Sequence, residues 1–120
     1  MTGGLQESGP PEAVLVVLVT GPDVETLARL GRAVIEERLA ACVNIVDRAV
    51  SIFRWEGAVR EEAEAVAIFK TTPARLESLQ ARVLELHPYD EPEFLALPVA
   101  AGSPSYLNWV VGEVEPGSGG

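Results

Sequence analysis

The chain has 120 residues, with 9 basic against 18 acidic side chains, a formal charge of −9 and 48% hydrophobic residues. At that length folding takes roughly two thirds of the unfolded surface out of water, so the composition supports one folded domain and excludes disorder for its bulk. Lys70 is the only lysine and the arginines are scattered, which excludes the clustered cations that nucleic-acid phosphates and anionic membrane surfaces require.

Residues 1–12 (MTGGLQESGPPE) and 114–120 are rich in Gly, Pro and Ser or lack apolar periodicity, and are expected to be disordered tails flanking a folded domain over 13–113. No basic residue precedes the short apolar run 13–19, which predicts neither a signal peptide nor a membrane span. Cys42 is the only cysteine, so no intrachain disulfide forms and the expected location is the cytoplasm.

The run AVLVVLVT at 13–20, ended by Gly21 and Pro22, predicts a central strand buried on both faces. Asp23 is a candidate N-cap for a helix to about Arg38, with Val24, Leu27, Ala28, Gly31, Val34 and Ile35 on one stripe. Gly31 at mid-stripe predicts a close approach of helix to sheet. From Ala41 to Trp55 apolar residues alternate through Val43 and Ile45, then through Val50 and Ile52. The phase change near Asp47 and Arg48 predicts a bulge or bend. A turn at Glu56 to Ala58 leads to a returning strand at Glu64 to Thr71. Strands usually run about 5–6 residues, so this hairpin is expected to overhang the sheet. Both faces of it carry apolar groups, which predicts pairing with other copies of the chain, because an exposed two-faced hairpin otherwise aggregates.

Thr72 and Pro73 predict the cap and first turn of a second helix through Leu76, Leu79, Val83 and Leu86, stopped by Pro88. Residues 94–100 (FLALPVA) predict a strand in which Pro98 sits at an edge. Ser103 and Pro104 then open a short amphipathic helix with Tyr106, Leu107, Trp109 and Val110. The order βαββαβ plus a terminal helix, with right-handed crossovers, predicts an α+β, ferredoxin-like sandwich with two helices on one face of a four-stranded antiparallel sheet.

Read in order, VTGPD (19–23), ERLAACVNI (37–45), WEG (55–57), KTT (70–72), HPYDEPE (87–93), LPV (97–99) and YLNW (106–109) resemble the CutA family of divalent-cation-tolerance proteins. The resemblance implies a ferredoxin-like homotrimer assembled through its long hairpin, cytoplasmic and non-enzymatic, with a role in tolerance of copper and other divalent metal ions. It implies binding of Cu(II) or another divalent cation that folding does not require.

His87, the only histidine, follows the second helix and precedes Asp90, Glu91 and Glu93. Two readings of it stand: a metal ligand, the role the family implies at this position, or an imidazole favoured by the helix dipole and packed in place. Asp90 and Glu91 are candidate companions, completing the site or orienting its imidazole. Cys42 is the only soft donor for copper, and equally reads as a small apolar residue entering a buried strand. The second thiol and second imidazole that some family members carry are replaced here by the segment 19–21 and by Leu86. Metal binding is therefore expected to be weak, carboxylate-rich or shared between protomers. The glutamates at 56, 61, 62 and 64 read as the charged, solvated edge of the hairpin turn, and Trp55, Tyr89, Tyr106 and Trp109 as packing and interface residues. Two further functions fit the same residues. One is an enzyme with Cys42 as nucleophile and His87 as base, which requires the two side chains within hydrogen-bond reach. The other is a trimeric module binding a small ligand or scaffolding a partner protein.

Overall fold

The structure is a computed structural model and describes residues 13–116. The expected tail at 1–12, and residues 117–120 of the other, lie outside the described residues. Four strands, β1 (Leu15–Gly21), β2 (Cys42–Trp55), β3 (Ala58–Thr71) and β4 (Leu95–Pro98), form one antiparallel sheet in the order β2-β3-β1-β4. Three helices, α1 (Val24–Glu36), α2 (Pro73–Leu86) and α3 (Pro104–Val114), complete the βαββαβα order. This is the α+β, ferredoxin-like arrangement that the sequence predicts. Among the described residues no helix is long and apolar enough to cross a membrane.

Alternation along the strands sends Val17 and Val19 of β1 and Ala65, Ala67 and Phe69 of β3 into a core with Leu27, Leu30 and Val34 of α1 and Leu79 and Val83 of α2. Asp23 caps α1 as expected, its carboxylate accepting from the Thr26 backbone N–H at 2.8 Å. Gly31 also does what its position predicts: a Cβ there would lie 3.0 Å from Val43 Cγ1, so a larger residue would press on Val43 and push α1 and β2 apart by a few tenths of an ångström. α3 closes the end of the sheet, where Val110 and Val114 pack with Val14 and Ala41. Val114 is 1% exposed and ends α3, so the folded part runs past the expected boundary at 113.

Several local expectations need correction. The returning strand begins at Ala58 rather than Glu64, because the polar stretch 59–64 pairs residue for residue with 49–54 of β2. Neither Thr72 nor Ser103 makes a side-chain cap hydrogen bond, although a proline does occupy the first turn of each helix. Strand β1 is central, as expected, but only one face of it is buried.

The face of the sheet opposite α1 and α2 carries Val16 and Leu18 of β1, Val66 and Ile68 of β3, and Leu95 and Leu97 of β4, placed on one side by the register. Leu95 is 55% exposed. The face is thus apolar and uncovered in the protomer.

The phase change at Asp47 and Arg48 is a β-bulge: Val46 pairs with Val66 but Ala49 with Glu64, so β2 carries one extra residue. Arg48 takes φ 68° there, and its N–H donates to the Asp47 carboxylate at 2.7 Å. The bulge restores parity, so Val50 and Ile52 continue the side begun by Val43 and Ile45 while Ser51, Phe53 and Trp55 take the other. β1 pairs with β3 only over 65–71. The remainder of the hairpin projects beyond the sheet.

Candidate functional site

The overhang and the loop after α2 line an open cleft of about 980 Å³. Phe53 and Trp55 line it from β2, Arg60, Glu62 and Glu64 from β3, and Asp90, Glu91 and Glu93 from the loop. With Arg54 also lining it, five carboxylates meet two guanidinium groups, and the cleft is net negative. Concave walls of low dielectric strengthen such a field towards cations.

The loop is placed by a connected set of polar contacts. His87 is the C-cap of α2, with its backbone N–H donating to the Val83 carbonyl. Its Nε2 lies 2.7 Å from the Thr20 carbonyl oxygen at the end of β1. Its Nδ1 accepts from the Tyr89 backbone N–H at 3.1 Å. The Tyr89 ring lies against the imidazole with centroids 4.7 Å apart. The Tyr89 hydroxyl donates to Glu64 Oε2 at 2.7 Å. Burial is the main cause holding the Tyr89 phenol well above its ordinary range, with the Glu64 hydrogen bond and its charge adding in the same direction. Glu64 is 8% exposed and His87 7%.

Asp90 and Glu91 face the cleft, three and four residues after His87. Cys42 does not join them. It pairs with Lys70 across β3, whereas Thr20, which holds His87, pairs with Val66. Four residues of strand separate these positions, about 13 Å. Cys42 instead lies by α3, with Sγ 3.5 Å from the Tyr106 hydroxyl, and that hydrogen bond chiefly holds the Tyr106 phenol above its ordinary range. A Cys42–His87 nucleophile and base pair is not formed. Among the described residues no group of three or more His, Cys, Asp or Glu side chains is placed to hold a metal ion. His87, Cys42, Asp90 and Glu91 therefore do not fit a preformed metal centre within one protomer: the imidazole nitrogens are both engaged and the thiol is remote.

The sequence reading gives Tyr89 only a packing role and Glu64 a solvated edge, and misses the contact between them. Glu64 belongs to no solvated turn; it sits where β1 ends and β3 continues alone, under Tyr89. No local pattern marks either residue, since their contact joins positions 25 apart in the chain.

A family model described as CutA1 divalent ion tolerance protein matches residues 15–113. The divalent-cation tolerance protein CutA of Thermus thermophilus is 48% identical over 95 residues, covering 79% of this chain and 92% of the relative. A chloroplastic protein CutA of Arabidopsis thaliana is 42% identical over 106 residues, covering 88% of this chain and 58% of the relative. Among solved structures, CutA from Xylella fastidiosa superposes with a TM-score of 0.83 at 35% identity, covering 86% of this chain and 99% of that one.

Proposed function

The chain belongs to the CutA1 divalent ion tolerance family, and from that premise we propose that it acts in the cytoplasm as a homotrimer that binds divalent cations, copper among them, without catalysing a reaction. The observation that carries the reading is the uncovered apolar sheet face, continued along the overhanging hairpin by Phe53 and Trp55, which are 37% and 49% exposed. Contiguous apolar surface of this kind marks an interface. A second and third copy would cover it, which explains why β1 has the composition of a strand buried on both sides. The carboxylates of the cleft supply hard oxygen donors, and Asp90 and Glu91 are the loop residues that face an incoming cation. A hydrated divalent ion needs few protein ligands, and an adjoining protomer supplies the donors that one chain lacks. Cys42 enters this reading only as a thiol on the open face, available to a site shared at the interface. The single cysteine supports the cytoplasmic location.

Sedimentation at micromolar concentration is expected to give the mass of three chains, and a monomer would overturn the assembly. In calorimetric titration with Cu(II), an Asp90→Asn, Glu91→Gln variant is expected to bind about tenfold or more weakly, roughly one charge contact's worth of free energy. Identical isotherms would remove the loop from the site. A second reading, a small-ligand cleft, is favoured by the cavity's volume and by Phe53 and Trp55 in its lining. A thermal-shift screen that finds a stabilising metabolite and no stabilising metal selects that reading.

A further inference from the structure

His87 is the residue whose chemistry most invites a metal, and its surroundings give it a different task. Pro88 disfavours helical backbone in the residue before it, and His87 accordingly has φ −78° and ψ 140°. The chain leaves α2 extended, with the imidazole against the end of β1. A carbonyl oxygen only accepts, so the contact with Thr20 requires a hydrogen on Nε2. A backbone N–H only donates, so the contact with Tyr89 requires a bare Nδ1. One neutral tautomer satisfies both partners and leaves no nitrogen free.

We infer that His87 is a positioning residue and not a metal ligand: it pins the acidic loop to β1 and, through Tyr89 and Glu64, to the overhanging hairpin, and so sets the mouth of the cleft. The significance of that mouth rests on the cation-binding reading above, while the pin rests on contacts that involve no metal. A metal at Nδ1 must displace the Tyr89 N–H, and one at Nε2 must displace the Thr20 carbonyl. Ligation by His87 and the closed loop are therefore mutually exclusive.

Imidazole nitrogen NMR of the metal-free protein is expected to show the Nε2–H tautomer; an Nδ1–H tautomer would overturn the pin without any variant having to fold. His87→Ala is expected to speed hydrogen exchange of the Tyr89, Asp90, Glu91 and Glu93 amides by about tenfold or more, the signature of a locally opened segment, with exchange in α1 unchanged. His87→Gln, which keeps a donor for Thr20, restores part of the protection. Unchanged exchange in His87→Ala counts against the inference. In Cu(II)-loaded protein, the nitrogen hyperfine pattern of the paramagnetic resonance spectrum is expected to be the same for wild type and His87→Gln. Loss of an imidazole pattern in the variant makes His87 a ligand and ends the proposal. A wild type that binds no cation would overturn the function proposed above, leaving the tautomer and exchange results to decide the pin.

Discussion

Glu64 is a carboxylate at 8% exposure whose side chain receives one hydrogen bond, from the Tyr89 phenol. Burying a charge is tolerated when such a donor accompanies it. Tyr89→Phe removes the donor and leaves the carboxylate in place, which is expected to destabilise the protein by about 1–3 kcal/mol in urea denaturation. The same substitution changes the alkaline limb. Burial, aided by Glu64, raises the Tyr89 phenol above its unfolded value. Its contribution is complete below about pH 10 and falls as the pH rises further, because the unfolded chain releases the phenolic proton first. Tyr106, raised mainly by its bond to Cys42, acts in the same direction. Stability measured against pH above 10 should therefore fall less steeply in Tyr89→Phe than in wild type, without becoming flat. At this scale the sequence marks the residue types that carry chemistry, His87, Cys42 and the loop carboxylates, but not their partners.

At the scale of elements, the hairpin shows what a local pattern can and cannot say. Its bulge is legible because an extra residue shifts the apolar phase. Its turn is equally local: Glu56 and Gly57 take φ 52° and 81°, both positive, as a two-residue turn between right-twisted strands requires. Nothing lies within 4 Å of a Cβ built on Gly57, so Gly57→Ala isolates the backbone term. It is expected to cost about 1–2 kcal/mol, read from the shift in denaturation midpoint. The length of β3 is not local. Residues 59–64 are too polar to announce a strand, and they form one because β2 opposite them is fixed in register by the apolar pairs beyond the bulge. The helix starts divide in the same way. Asp23 accepts the expected hydrogen bond, whereas the buried Thr72 makes none.

For the whole molecule, the open sheet face and the charge oppose one another. The face favours association through apolar burial. A charge of −9 per chain becomes roughly −27 in three chains and disfavours it. Salt screens the second effect only, since the Debye length falls from about 30 Å at 0.01 M to about 8 Å at 0.15 M ionic strength. The proposed assembly is therefore expected to tighten as sodium chloride is raised over that range, measured by sedimentation equilibrium. Assembly that weakens with salt would assign the interface to ion pairs instead.

The order of elements, the bulge, the Asp23 cap, the close approach at Gly31 and the family all follow from the amino-acid sequence, because each rests on periodicity, on a residue's own backbone preference or on short motifs read in line. Tertiary structure alone decides that His87 is held between Thr20 and Tyr89, that Glu64 lies beneath Tyr89, and that Cys42 stands apart from both. Those relations join positions as far as 67 residues apart in the chain. They are set by strand register and by where β1 stops relative to β3, which no local preference encodes.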